Sequence, residues 1–315
     1  MIDLYNGTLF ETLASWDELT SRPGFRSNIK VADFDFEKLK VLGAYQRPTP
    51  VTCGLTSCHR PHNKGFVIAL EHGIITNIGH CCGARHSLIW GAETRSFERN
   101  LLAMRRREQI VATQERLPTM LAQVESMTAA PFGARWALGI ASQLRSRGKG
   151  LPDAAIAVIS AAVKARDGTL YREVEIDAKT AALQAQAAPG RKVDRFIRQS
   201  VGVLRGIEAL YPENDLKDSL GGDMSIELGK LATLNAETAS EAELKRYCKW
   251  IDDFEGRLGK AQSALTAFRA LATGDNIRQL LEVMESSTDR ESVLKFCRVL
   301  DNAMDAPVSS RRQAA

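Results

Sequence analysis

Cysteine and histidine are concentrated in one short stretch of the chain, from Cys53 to His86. This stretch contains four of the six cysteines and all five histidines. Thiolate and imidazole are the ligands that Zn²⁺ prefers, and a closed structural site needs four of them at short local spacings. The stretch therefore predicts a metal site in which Zn²⁺ is a structural cofactor.

The four predicted ligands form two pairs. Cys53 and Cys58 are spaced C-x4-C, and Gly54 between them can adopt the backbone angles of a tight ligand-bearing turn. Cys82 and His86 are four residues apart, so they share one face if the chain there is helical. Three neighbouring side chains are alternatives for the third and fourth ligands: Cys81, which is the first alternative, His80 and His62.

Two short β-branched runs lie between the ligand pairs, at Gly65 to Leu70 and Ile74 to Ile78, and a glycine-containing turn separates them. They predict a β-hairpin. A ligand-bearing turn, a hairpin and a helix that returns two ligands resembles the treble-clef type of zinc module over residues 53–86. The resemblance implies a small α+β module that is held together by zinc and unfolds when the metal is chelated.

Catalysis by the metal is not expected. Four protein ligands leave no open coordination position, and the chain has no His-Glu-x-x-His sequence. A thiol enzyme, with Cys81 or Cys82 as nucleophile and His80 or His86 as base, would need a free thiolate that a bound metal removes. The remaining alternative is a protein without metal, with buried cysteines and surface histidines.

Composition favours a soluble protein of two or three domains. The chain has 315 residues, 25% of them charged, and a net charge of +4. No apolar run approaches the roughly 20 residues of a membrane helix, and Met1 to Leu4 has no basic leader. We therefore expect a cytoplasmic protein with reduced cysteines and no membrane partner.

The predicted fold is mainly α, with a small zinc-stabilised α+β module (knuckle, hairpin, helix) followed by a multi-helix bundle that contains a long coiled-coil-like helix. Pro189 and Gly190 suggest a domain boundary. The predicted divisions are a zinc-binding module, a basic helical region, a helical bundle and a flexible tail, at residues 1–92, 93–190, 191–306 and 307–315.

The long helix is predicted from a heptad pattern between Ser240 and Ala272. Ser240 with Glu243 forms a capping box at its start, and Thr273-Gly274 ends it. Two series of residues at steps of seven form the apolar seam: Leu244, Ile251, Leu258, Leu265 and Ala272, then Tyr247, Phe254, Ala261 and Phe268. Helices over 240–304 are therefore candidates for self-association or for binding a protein partner.

Weaker patterns predict two further helices. Thr8 and Glu11 form a possible capping box for a helix that runs to about Leu19. Apolar residues at helical spacing predict another helix from Val193 to Leu204.

Basic residues between the zinc stretch and the bundle suggest an anionic partner. Arg105, Arg106 and Arg107 project over nearly a full helical turn and are suited to reach phosphates. A second basic group, in a glycine-containing loop, consists of Arg145, Arg147 and Lys149. We expect a non-enzymatic protein that binds nucleic acid through these residues. The alternatives are a solvated helix face, or an adaptor that binds a protein through its heptads and touches no nucleic acid.

Overall fold

The structure is a computed structural model that describes residues 2–5, 10–187 and 196–305. The chain divides into two compact units. The first contains Met1–Val111 and Ala236–Cys248, and the second contains Ala112–Asn235 and Lys249–Ala315. The predicted boundary at Pro189-Gly190 and the predicted tail from residue 307 lie outside the described residues, so the division into four regions stays a prediction.

The first unit is built on a five-stranded antiparallel sheet with the strand order β2-β1-β3-β4-β5. The strands are β1 (Ile2–Tyr5), β2 (Phe10–Leu13), β3 (Lys40–Thr52), β4 (Pro61–Ala69) and β5 (Ile75–Ile78). A short helix, α1 (Trp16–Thr20), follows β2. The predicted helix from Thr8 to Leu19 is therefore wrong over Phe10–Leu13, which pairs with β1 as a strand, and only its end is helical, as part of α1. The predicted hairpin is confirmed as the pair β4 and β5.

Both faces of this sheet carry apolar side chains. On one face, Ile2, Leu4 and Val67 pack with Leu13 and Leu19. On the other face, Ile68 and Ile78 pack with residues of the long helix that follows the sheet. Successive residues of a strand point to opposite faces of the sheet. When both are apolar, each face must pack against other side chains, which explains why the sheet carries two hydrophobic clusters.

Two helices connect the sheet to the rest of the chain, α2 (His80–His86) and α3 (Trp90–Ala129). Trp90 and Phe97 of α3 are buried in the hydrophobic cluster on the second face of the sheet. Helix α3 continues through Pro118, which lies inside it.

The second unit is mostly helical. Its regular elements are α4 (Ala134–Arg145), α5 (Asp153–Ala165), β6 (Thr169–Glu175), α6 (Ala178–Ala187), β7 (Phe196–Val203), a π-helical stretch (Lys217–Ser225), α7 (Ile226–Thr233), α8 (Glu241–Leu271, which begins in the first unit), α9 (Gly274–Arg278) and α10 (Ser287–Asp305). Strands β6 and β7 form an antiparallel pair. The helix predicted from Val193 to Leu204 is therefore wrong over its described part, because Phe196–Val203 is a strand.

The heptad helix is confirmed as α8, and so is its capping box. The hydroxyl of Ser240 accepts a hydrogen bond from the Glu243 backbone N–H at 3.3 Å, and the Glu243 carboxylate accepts one from the Ser240 N–H at 2.9 Å. Seven residues of the seam are buried within the chain: Leu244, Tyr247, Phe254, Ala261, Leu265, Phe268 and Ala272. The seam therefore packs against the protein itself, as expected of a helix in a bundle.

Among the described residues, no helix has both the length and the apolar character that a bilayer span requires.

Candidate metal centre

The loop between β3 and β4 carries the first two cysteines in a knuckle, residues 53–60. The N–H of Cys53 donates to the carbonyl of Arg60 at 3.1 Å, and this bond closes the loop. Within it, the N–H groups of Cys58 and His59 both donate to the carbonyl of Leu55, at 3.0 and 3.2 Å. Leu55 is fully buried. The knuckle is therefore held by its own backbone bonds and by an apolar anchor.

Gly54 is needed for a different reason from the one expected. A Cβ atom at this position would lie 2.1 Å from Oγ1 of Thr76 and 3.0 Å from the carbonyl of Asn77. The N–H of Gly54 donates to that same carbonyl at 2.8 Å. The glycine therefore allows the knuckle to approach β5 closely.

Helix α2 brings the third cysteine to the knuckle. Gly79 is its N-cap residue, and the N–H of Cys82 donates to the Gly79 carbonyl at 3.1 Å. Gly83 is buried, and a Cβ atom there would lie 2.3 Å from the ring of Trp90. The helix therefore packs closely on Trp90 through its glycine, which fixes the position of Cys82.

Three sulfur atoms converge at this point. The Sγ atoms of Cys53, Cys58 and Cys82 all lie within 4.8 Å of one another, and those of Cys53 and Cys82 are 3.8 Å apart. All three cysteines are free thiols. Two thiolates bound to one tetrahedral Zn²⁺ at about 2.3 Å would be separated by about 3.8 Å. A disulfide would require about 2.05 Å. The three sulfurs could therefore hold a metal ion.

Burial disfavours the free thiolate at two of these three thiols, Cys53 and Cys82. Burial raises the pKa of Cys53, although backbone hydrogen bonds from Leu55 and Gly79 partly oppose this effect. Burial, together with the two neighbouring sulfurs, raises the pKa of Cys82 to about 12. A backbone hydrogen bond from Arg60 lowers the pKa of Cys58. Cys82 is thus protonated at neutral pH in the absence of a cation, which does not suit a nucleophile.

His86, the fourth predicted ligand, is not part of the sulfur cluster. Its ring lies against Phe36, with 6.0 Å between the ring centroids. It occupies the same helix as Cys82, four residues further on. The structure therefore brings together three of the four predicted ligands and leaves His86 beside them.

The three alternative ligands also lie outside the cluster. Cys81 is exposed on α2. The indole N–H of Trp90 donates to Nδ1 of His80 at 3.4 Å. His62 and the hydroxyl of Tyr45 share a hydrogen bond of 2.6 Å.

The predicted nucleic-acid residues of α3 have partners within the first unit. Arg105 forms an ion pair of 2.6 Å with Asp3, whose side chain is only 10% exposed. Arg106 lies 3.8 Å from the carboxylate of Glu241. Arg107 donates from Nε to a backbone carbonyl, that of Ala236, at 3.2 Å. These contacts give the three arginines a structural role in addition to any contact with a partner.

The second basic group lies in and beside the loop after α4. Arg145 donates to the carbonyl of Leu210 at 2.9 Å and lies 3.6 Å from a carboxylate oxygen of Asp215. Arg147 pairs with Asp153 at 3.7 Å, and its side chain is 78% exposed. Lys149 donates to the hydroxyl of Ser142 at 3.1 Å. The side chain of Arg147 is therefore more exposed than that of Arg145, which is 41% exposed.

A basic region next to the metal centre was overlooked in the sequence. Residues 39–70, which form β3, the knuckle and β4, contain four basic residues and no acidic residue. Lys40, Arg60 and Lys64 are exposed, and Arg47 is half-buried over the ring of Trp16. The absence of acidic residues over this length is the sequence signal that indicates this basic region, although its basic residues are less densely spaced than the arginines of α3.

No family model matches the chain, and comparisons with curated proteins and with solved structures also gave no match.

Proposed function

We propose that Cys53, Cys58, Cys82 and His86 bind one structural Zn²⁺. The observation that carries the proposal is the spacing of the three sulfurs, with 3.8 Å between those of Cys53 and Cys82. That spacing is what two thiolates of a tetrahedral zinc site require. His86 is the fourth ligand because residues four apart on a helix have Cβ atoms about 5–6 Å apart on one face. A rotation of its side chain away from Phe36 completes the set.

The proposed ion has a structural role. It links the knuckle between β3 and β4 to helix α2, which are 24 residues apart from Cys58 to Cys82. Three thiolates and one imidazole close the coordination shell, so no position remains for a catalytic water. The ion thus fixes α2 against the sheet at the point where the chain enters α3.

Metal analysis of the purified full-length chain tests this proposal. We expect one equivalent of zinc, and Cys82→Ser should lose it, because serine is a poor zinc ligand at neutral pH. Cys81→Ser is the matched control, since Cys81 is the adjacent residue, is exposed and lies outside the cluster. A wild-type protein without stoichiometric metal, after purification without chelators, would refute the proposal.

The fourth ligand is tested separately with Co²⁺ in place of zinc. The visible absorption of Co²⁺ depends on the number of thiolate ligands, so the His86→Ala variant should change the spectrum and weaken binding. His80→Ala is the control, because His80 lies on the same helix and binds Trp90. If the two variants behave alike, His86 is not a ligand.

We further propose that the basic surface of this module binds nucleic acid. Its support is the acid-free region of residues 39–70, in which Lys40, Arg60 and Lys64 are exposed. Exposed cations in a stretch that contains no acidic residue can replace the counterions of phosphates, and the released ions drive binding. The arginines of α3 stay in their internal contacts, so the proposal does not depend on them.

Salt dependence of binding provides the test. If the three exposed cations each contact one phosphate of duplex DNA, the logarithmic slope is about −2.7, and affinity falls about 40-fold between 50 and 200 mM salt. The triple substitution of Lys40, Arg60 and Lys64 by Gln should abolish this dependence. The triple substitution of Arg105, Arg106 and Arg107 should instead lower stability. Absence of binding at 50 mM salt would contradict the nucleic-acid proposal and leave the zinc proposal intact.

The adaptor hypothesis receives less support from the geometry. It assigns partner binding to the heptad seam, yet seven of the seam residues are buried within the chain. A partner helix would have to displace these internal contacts before it could bind. We therefore retain nucleic acid as the proposed partner.

A further inference from the structure

A cleft of about 700 Å³ opens in the first unit, outside the metal cluster. Ala44 and Phe66, on the adjacent strands β3 and β4, contribute to its floor. Glu98, Leu101 and Arg105 line it from helix α3. The volume falls within the range of about 300 to 1,000 Å³ that is typical of sites for small ligands.

Four charged residues line the cleft, two of them acidic and two basic: Asp3, Glu98, Lys64 and Arg105. Lys64, an exposed residue of β4, lines it on the sheet side. Arg105 lines it on the helix side, where the ion pair with Asp3 fixes its guanidinium. Glu98 supplies a hydrogen-bond acceptor on the helix side. A ligand for this cleft therefore needs an anionic group for Lys64 and hydrogen-bond donors for Glu98.

The apolar part of the cleft is held rigidly. The ring of Phe66 packs edge-on against Trp90, with centroids 5.2 Å apart at 86°, and lies 6.3 Å from the ring of His80. Trp90 is buried and donates its indole N–H to His80. A fixed aromatic side chain beside Leu101 offers a surface for a flat, partly apolar group.

We propose that this cleft binds one nucleotide of a single-stranded nucleic acid. The phosphate contacts Lys64, and the base lies on the surface formed by Ala44, Phe66 and Leu101, with its amino or imino groups directed to Glu98. A duplex does not fit this description, because its bases are stacked and paired and cannot reach an apolar floor. The inference rests on the proposed nucleic-acid function and adds the form of nucleic acid and its place of binding.

Fluorescence anisotropy with the zinc-loaded full-length protein tests the inference. The probes are a labelled single-stranded oligonucleotide and the same strand annealed to its complement. We expect Lys64→Gln to weaken binding of the single strand about tenfold, because it removes a charge-assisted hydrogen bond. Lys30→Gln is the matched control, since Lys30 is an exposed lysine of the first unit that lies outside the cleft and outside residues 39–70, and it should change affinity less than twofold.

A second variant tests the cleft without altering its charge. Ala44→Leu adds three carbon atoms to the floor and should weaken binding of the single strand at least tenfold, while binding of the duplex stays unchanged. The result that would overturn the inference is nucleic-acid binding that Lys64→Gln and Ala44→Leu reduce no more than Lys30→Gln does. In that case the proposed nucleic-acid function would stand.

Two further outcomes also decide the matter. If neither nucleic acid binds at low salt, the proposed function and the cleft inference both fail. If a free mononucleotide binds as tightly as the oligonucleotide, the assignment to a strand is wrong.

Discussion

Substitution of Gly83 by alanine gives the sharpest test of how α2 is positioned. A Cβ atom at this residue would lie 2.3 to 2.5 Å from three ring atoms of Trp90. Carbon atoms in favourable contact are about 3.5 to 4.0 Å apart, so the helix and the ring would have to separate by about 1 Å. Trp90 is only 2% exposed, and it also contacts Phe66 and His80. It therefore has little room to yield.

The expected cost follows from two opposing effects. Overpacking of a buried site costs about 1–3 kcal/mol. Replacement of glycine by alanine in a helix returns about 1 kcal/mol. Because Trp90 is held by several contacts, we expect the upper part of this range and a net loss of about 2 kcal/mol. Cys82 is the adjacent residue, so its sulfur should move out of the tetrahedral spacing. Zinc affinity should fall about 10- to 100-fold, as when an outer-shell group is lost.

Urea unfolding and competition for zinc with a chelating dye measure the two effects. Gly79→Ala is the control, since it adds the same methyl group to the N-cap residue of the same helix. Its Cβ atom would lie 3.7 Å from His62, which is ordinary contact, so both measurements should remain close to those of the wild type.

One result would refute the reasoning. If Gly83→Ala bound zinc with unchanged affinity and unfolded at the same or a higher urea concentration, α2 would not pack on Trp90 as described. The helix-propensity gain would then be the dominant effect of the substitution.

The remaining predictions concern the thiols and two polar contacts. Alkylation of the zinc-loaded protein should label Cys81 first and leave Cys82 unmodified; rapid labelling of Cys82 with zinc still bound would favour a catalytic thiol. Burial raises the pKa of Cys82 to about 12, so this thiol must lose its proton when the metal binds. Zinc affinity should therefore rise with pH and fall as pH is lowered. Calorimetry in buffers of different ionisation enthalpy should detect the released proton. Arg105→Gln should lower stability by about 1–3 kcal/mol in urea unfolding, since it leaves the carboxylate of Asp3 without its ion pair, whereas an unchanged midpoint would mean that the pair is not formed. Asn276→Ala should cost about 2–3 kcal/mol because the buried amide bonds three backbone groups; a loss below about 0.5 kcal/mol would contradict those bonds.

The two incorrect helices share a physical cause. Phe10–Leu13 and Phe196–Val203 each have a local pattern that is compatible with a helix. Each instead pairs with a strand, β1 and β6 respectively, and the pairing supplies backbone hydrogen bonds that local propensity does not encode. A short segment becomes a strand when a neighbouring strand can form backbone hydrogen bonds with it.

The candidate metal centre was predictable in part. The types and spacing of Cys53, Cys58 and Cys82 made them candidate ligands, because few other roles require so many thiols in a short stretch, and the structure brings their sulfur atoms together. The sequence did not determine where the His86 ring points, because a side-chain rotamer depends on neighbours such as Phe36 that are distant in sequence. The cleft was not predictable at all, because Ala44, Lys64 and Glu98 become neighbours only when β3, β4 and α3 pack together.

The sequence by itself determined the features that depend on residues close together in the chain. These are the knuckle with its two cysteines, the hairpin from β4 to β5 and the capped heptad helix α8. Each is specified by residues within a few turns or a single loop of one another, so spacing alone carries the information. The tertiary structure decided which charges remain available. It paired Arg105 with Asp3, 102 residues away, and left Lys64 exposed beside an apolar floor. Charge on a residue is fixed by its type, but whether that charge faces solvent or a buried partner depends on packing between distant segments.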